Sequence, residues 1–370
     1  IELRRRDRWK PLTGFLSRGN NGHYRFEQAL YREVAYHGLS FRRRRHIHQS
    51  VGTVLERRAG EDWAAYSELL SLHFHHAGQW DRSWRYSVIA GDRAKNKYAH
   101  AEAADFYRRA LGVPHKHRPG PEAVAAVAEV LSDELDLNGQ YPAASDALTL
   151  ARRNQTDVEA SARLLRKEGV NRERQGKYPQ ALRWFGRGLK TLEQFADDEH
   201  ARREEGYLAF GYAGVRLRQG RLWEAVEWSS RAERLARGLD DSRLLARSAY
   251  LLMTSYGMLR RPEATEYRDV ALPLFEELGD WMYQGNALNN LGVDAKDEGR
   301  WSDALELYER SRVCRQQAGD VVGAAITMHN IGEILCDRGL LDEAQEHFES
   351  ALRSWRRAGF TMGLGVGPSY

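Results

Sequence analysis

The 370 residues carry 42% hydrophobic and 29% charged side chains, a globular rather than a disordered balance, with no run of about 18 apolar residues able to span a bilayer. Only two cysteines occur, Cys314 and Cys336, which excludes a disulfide framework and reads as a reducing cytosolic compartment. The net charge of +4 hides a basic head, residues 1–60 holding 14 Lys and Arg against 5 Asp and Glu, so the rest is mildly acidic and unlike a protein that coats nucleic acid along its length.

In chain order, Ile1 to Lys10 is charged without an apolar stretch, and no signal peptide is expected. Leu12 to Phe26 alternates around Gly-Asn-Asn-Gly and predicts a strand, a tight turn and a second strand. Helix is predicted from about Glu27. Arg42, Arg43, Arg44 and Arg45 form the most basic run, followed by His46 and His48. Phosphate contact is one reading, but a solvated helix start, or a surface docking on another module, outweighs it. His73 and His76 share a helical face beside His75, with no third metal ligand identifiable nearby. They read as helix surface, and no cofactor or metal is expected. Residues 49–112 are predicted helical, with degenerate repeats at Ala90-Gly-Asp-Arg-Ala94 and Ala101 to Leu111. Three prolines and two glycines between Leu111 and Glu122 then forbid a helix. The loop at 113–121 is the best domain boundary that the sequence offers.

From residue 122 to 358 the signal is a repeat. Gly299-Arg-Trp-Ser-Asp-Ala304-Leu-Glu-Leu-Tyr308 returns as Gly339-Leu-Leu-Asp-Glu-Ala344-Gln-Glu-His-Phe348. Earlier copies start at Gly139, Gly176 and Gly220, and a degenerate one surrounds Ala264, with Leu259 in the place of the glycine. The key alanines 144, 181, 225, 264, 304 and 344 recur every 37 to 44 residues. A glycine takes the left-handed conformation that ends one helix. Two residues on, an apolar group (Tyr141, Tyr178, Leu222, Trp301, Leu341) is expected to pack into the turn. The alanine marks a close helix crossing, and residues four and seven beyond it lie on the same helical face. Trp184, Trp223 and Trp301 are expected in the core or between repeats, and both cysteines are expected as small buried packing residues.

These residues resemble the tetratricopeptide repeat family over roughly Glu122 to Arg357, in a long form of about 40 residues per repeat. The resemblance implies an all-α fold, a right-handed superhelix (α-solenoid) of about seven helix pairs. The segment Tyr24 to His48, with Ser67 to Leu111, is similar to the junction where a winged-helix lobe closes the ATPase of large bacterial signalling proteins, among them class III adenylate or guanylate cyclases. It implies that residues 1–48 are a partial winged-helix lobe containing a short β-hairpin, and that 359–370 begin a truncated repeat or a tail. The chain would then be a slice of a longer protein. It carries no Gly-x-x-x-x-Gly-Lys-Ser/Thr phosphate loop, and no enzymatic activity is expected of it.

By the same resemblance the first helix of each pair lines a concave groove. Asn290 and Asn330 hold equivalent positions 40 apart, and an amide there can donate to and accept from a peptide backbone. Asn286, Asn289, Lys296, His329 and Glu333 are expected beside them. Arg166, Glu173, Arg174, Tyr207, Phe210 and Tyr256 join from earlier repeats. The expected partners are a protein or peptide ligand, or a small effector, in the groove, together with an ATPase module of the parent chain; neither DNA nor membrane is expected. The function implied is a non-catalytic sensor segment of a cyclase-linked ATPase. The alternatives are the repeat domain of an ATPase-type transcriptional regulator and a free-standing scaffold.

Overall fold

Two compact units, residues 1–155 and 156–370, make up the computed structural model, which describes residues 14–18, 24–195 and 197–358. The head of the expected winged-helix segment, residues 1–13, and the expected tail, 359–370, lie outside the described residues.

The first unit opens with the predicted hairpin: β1 (Leu16–Arg18) pairs antiparallel with β2 (Tyr24–Phe26), Leu16 opposite Phe26 and Ser17 opposite Arg25. Its turn, residues 19–23, is outside the described residues. Seven helices follow: α1 (Ala29–His37), α2 (Phe41–Ala59), α3 (Ser67–Ala77), α4 (Trp80–Asn96), α5 (His100–Leu111), α6 (Pro121–Leu137) and α7 (Tyr141–Asn154). Ser40 caps α2, so the run Arg42 to Arg45 occupies that helix's first turn. Cations there oppose the helix dipole, and neighbouring groups hold two of them. Arg45 Nε donates to the Ala77 carbonyl at 3.1 Å, and Arg44 lies over the Tyr36 ring at 5.4 Å. Leu70, Phe74 and Tyr86 form a core between α3 and α4, where Ser71 and Ser87 satisfy one another at 2.7 Å. The Pro/Gly segment connects α5 to α6 within this unit, and Pro121 supplies the helix-starting proline.

Among the described residues, the second unit is five helix hairpins in succession. They are α8 (Val158–Arg174) with α9 (Tyr178–Leu192), α10 (Glu199–Arg218) with α11 (Leu222–Gly238), and α12 (Ser242–Met258) with α13 (Glu263–Glu277). The last two are α14 (Trp281–Asp297) with α15 (Trp301–Gln317), and α16 (Val321–Asp337) with α17 (Leu341–Ala358). Every first helix starts at an aspartate, Asp157, Asp198, Asp241, Asp280 or Asp320. Its carboxylate accepts the backbone N–H three residues on, at 2.7 Å for Ala160 and 2.8 Å for Gly323, and so satisfies an otherwise orphaned donor.

The expected small-residue crossings are present. Ala181, Ala225, Ala304 and Ala344 are buried, as is Ala144 in the first unit, whereas Ala264 is only half-buried. Beside them, three hairpins share a closer contact. A β-carbon on Gly292 would sit 2.6 Å from the Tyr308 ring, one on Gly332 2.7 Å from Phe348, and Gly169 faces Phe185 in the same way. Glycine is required there because the facing ring occupies the space of a side chain.

Several expectations change. At the degenerate copy the left-handed residue is Arg260 (φ 55°), not Leu259, so it stands four residues before Ala264, where Gly299 (φ 77°) stands five before Ala304. Trp223, second in its helix, and Leu341, first in its own, are about 60% exposed, and Trp301, also first, is 39% exposed, whereas Tyr141, Tyr178 and Leu222 at that first position are half-buried. Cys314 is buried but Cys336, at the solvent side of α16, is exposed; both are free thiols.

Candidate interaction surface

All the residues expected to line a groove belong to the second unit's first helices, and most of them bridge one first helix to another. Arg166 on α8 pairs with Glu204 on α10 and lies over the Tyr207 ring at 5.4 Å. Burial pushes the Glu204 carboxyl up, against the pull of Arg166. Glu173 pairs with Arg218 of α10 in the same way, and its carboxyl is likewise raised by burial and drawn back by that guanidinium. Tyr207 donates to Asp241 at 3.3 Å, and Arg203 pairs with that carboxylate at 3.6 Å. Phe210 faces Tyr283 across 6.4 Å.

Further along, Arg247 of α12 binds Asp280 at 3.0 Å and covers the Tyr283 ring at 4.6 Å. Asn290 donates from Nδ2 to the Tyr250 hydroxyl at 3.2 Å and the Thr254 hydroxyl at 3.3 Å. Burial pushes the Tyr250 phenol up, so it stays a neutral hydroxyl. Asn330 donates to Asn289 Oδ1 at 3.1 Å, and Lys296 binds Glu333 at 2.6 Å. Glu333 also meets His329 at 3.5 Å, whose ring packs against Phe348 and Trp355.

The two equivalent asparagines therefore already spend donors on the preceding first helix. What they retain is Oδ1 on Asn290 and Asn330 and Nδ2 on Asn289, each in a half-buried residue and without a partner among the described residues. Asn286 is half-buried and makes no hydrogen bond among them. Two residues fall outside the bridged row: Tyr256 stacks on Tyr267 of α13 at 5.7 Å, and Arg174 is exposed at the end of α8. The sequence reading missed Arg247, Tyr250, Thr254, Tyr283 and the capping aspartates. The aspartates carried a signal, their own recurrence every 39 to 43 residues, and so did Tyr250, which stands nine residues after its aspartate as Tyr207 does.

In the first unit, His48 of α2 joins the predicted histidines. Its Nδ1 is 2.9 Å from His73 Nδ1, its ring is 4.8 Å from that of His76, and Tyr36 closes its Nε2 at 2.9 Å. Burial, then the neighbouring His76 and His73, holds His48 down at about 4. Among the described residues no group has an arrangement able to hold a metal ion, and no helix is long and apolar enough to cross a membrane.

A tetratricopeptide repeat family model matches residues 285–318 and 325–358, which are α14–α15 and α16–α17 with their first turns trimmed. No curated protein matches the chain. Many solved structures are similar in fold, among them the following three. Aspartyl phosphate phosphatase F from Bacillus subtilis is 13% identical, with a TM-score of 0.57 over 78% of this chain and 74% of that one. The Rap conjugation gene regulator of plasmid pLS20, solved with a Phr peptide, is 15% identical, with a TM-score of 0.55 over 80% and 79%. A signal transduction ATPase with numerous domains and a tetratricopeptide repeat sensor, from Pyrococcus horikoshii, is 12% identical, with a TM-score of 0.54. It matches 95% of this chain, which spans about half of it, 52%. With the hairpin arithmetic above, the likeness shows the fold: an all-α, tetratricopeptide-type solenoid with a small N-terminal β-hairpin.

Proposed function

We propose that this chain is a non-catalytic interaction and sensor segment of a larger signalling ATPase, and that the bridged row of first helices in its second unit holds an extended peptide or small effector. One observation carries the reading. The row presents half-buried polar groups with hydrogen-bonding capacity left over (Asn286, Asn289, Asn290, Asn330), flanked by the ion pairs Glu173–Arg218 and Lys296–Glu333. Such a mixture of amides, rings and charges suits a peptide backbone better than an apolar ligand. Two of the similar structures support it, one a regulator bound to a peptide and the other an ATPase with a repeat sensor.

In its finer form, residues 1–48 are the closing part of a winged-helix lobe, 122–358 are the repeats, and the parent is cyclase-linked. That part rests on the resemblance of Tyr24 to His48 and is tested by the flanking native sequence, where a phosphate loop and cyclase motifs are expected and a helix-turn-helix would replace the cyclase by a transcriptional regulator. For the row itself, linear peptides selected from a random displayed library against the chain should lose about tenfold or more in affinity on Asn290→Ala/Asn330→Ala. Selected peptides that bind this double variant as tightly as the native chain would remove the row from the site.

A further inference from the structure

The second helices of the second unit differ sharply in charge. α11 carries three acids and three arginines, α13 five acids and one arginine, α15 three of each, and α17 four acids and three arginines. Many of those arginines have a carboxylate in reach: Arg237 binds Glu233 at 2.6 Å, Arg268 binds Asp269 at 2.8 Å, and Arg353 meets Glu349 at 3.5 Å. The charged residues of α9 are Arg183, Arg187 and Lys190, with no acid among them. None of the three makes an ion pair among the described residues, and Glu193, the next acid along the chain, pairs with none of them. Arg187 lies instead over the Trp184 ring at 4.4 Å.

The three cations stand four and then three residues apart, which places them on one helix face with rises of about 6 and 4.5 Å between them. All three are exposed. Gly186 falls on the same face, and a β-carbon there would meet nothing within 4 Å, so the strip has a bare floor between its cations. Beside it a cleft of about 310 Å³ is lined by Arg172 of α8 and by Gln180, Arg183, Trp184 and Arg187 of α9, at the lower end of small-ligand pockets. Glu168 holds Arg172 at 2.6 Å, whereas no carboxylate holds Arg183 or Arg187, and none is among the described residues that line the cleft. Positive charge that is repeated at each turn and left unneutralised raises the local concentration of anions, and it fits an anion that repeats as well.

We infer that the exposed face of α9 binds a small ligand carrying two or three phosphate groups in a row, held by Arg183, Arg187 and Lys190 over Gly186. A guanidinium takes phosphate oxygens two at a time through charge-assisted hydrogen bonds, and the lysine adds a point charge. A ligand with a single anionic group would engage one turn of the strip and leave the next without a counter-charge. The inference is independent of the peptide-binding reading, because that row lies on the first helices and takes another ligand class.

Calorimetry of the full chain at low salt, where screening is weakest, tests it with tripolyphosphate and with orthophosphate. Tripolyphosphate should bind about tenfold or more tightly than orthophosphate, and Arg183→Ala/Arg187→Ala should weaken it by about tenfold or more. Arg42→Ala/Arg43→Ala removes the same charge from the exposed start of α2 and should change the affinity little. Gly186→Glu sets a carboxylate three residues after Arg183 and four before Lys190, in open space, so the fold should hold or gain stability while binding is lost. Should that variant fail to fold, the exposed arginine pair of α9 decides. No tripolyphosphate binding by the native chain, equal affinity for orthophosphate, a loss in the α9 pair no greater than in the α2 pair, or full binding by a folded Gly186→Glu would overturn the inference.

Discussion

Replacing Gly292 with alanine tests the packing between first and second helices, because two effects of known size oppose each other. In a solvent-facing helix the substitution stabilises by about 1 kcal/mol, through backbone entropy. At Gly292 the new methyl would stand 2.6 Å from both Cδ1 and Cε1 of Tyr308, against an optimum of about 3.5–4.0 Å, so the ring must move by about 1 Å. Tyr308 is 1% exposed and shares its cluster with Ile331, Ile334 and Phe348, which leaves it nowhere to go. Overpacking of that kind costs about 1–3 kcal/mol, so the net loss should be about 0–2 kcal/mol. Gly186, inside α9, has nothing within 4 Å of its β-carbon position, and Gly186→Ala should show the gain alone. Urea unfolding followed by far-UV circular dichroism, with unchanged m, should separate the two variants by about 1–3 kcal/mol. A Gly292→Ala midpoint that rises as far as that of Gly186→Ala would refute the contact and the helix register behind it.

Three further outcomes are expected. Asp241→Ala removes the α12 cap and the acceptor of Tyr207 and Arg203, and should lower stability by about 1–2 kcal/mol; Asp241→Ser, which keeps the cap, should recover part of it in the same unfolding assay. Arg166→Ala leaves Glu204 buried without its cation and should cost about 1–3 kcal/mol, with Glu204→Gln restoring some of the loss if charge burial is the cause. The histidine group makes the first unit sensitive to acid. His48 is held near 4, and His73, His75 and His76 also lie below their ordinary 6.5. Between those values the unfolded chain binds protons that the folded one refuses, so stability is intact above about 6.5 and is lost as pH falls toward 4. After allowance for solvent access the loss should be on the order of 1 kcal/mol. Hydrogen exchange of α2 and α3 at pH 7 and pH 5 reads it, and equal protection at both would remove the histidines as its cause.

Much of the fold was legible because steric demands repeat. A buried alanine at 181, 225, 304 and 344 and a left-handed glycine before it are single-residue requirements, visible wherever the period is found. Arg260 was not legible, since nothing in a sequence announces a non-glycine residue in the left-handed region. Trp301 and Trp223 looked like core by their regular placement near the starts of second helices, yet both are exposed. The candidate row was legible as positions but not as contacts. Asn290 was found by its recurrence at Asn330, while its acceptor Thr254 recurs at no other first helix, and the contact depends on how one hairpin seats against the next. His48 lies 25 residues from His73, joined to it only by the packing of α2 on α3.

The aspartates that open the first helices hold two jobs at once. Asp241 closes the end of α12 and receives Tyr207 from α10; Asp280 closes α14 and receives Arg247 from α12. A single carboxylate thus ties the winding of one rod to a side chain of the rod before it. Any ligand that draws Tyr207 or Arg247 toward itself also loosens the opening turn of the next hairpin, so occupancy at one position is felt down the line without any core being repacked.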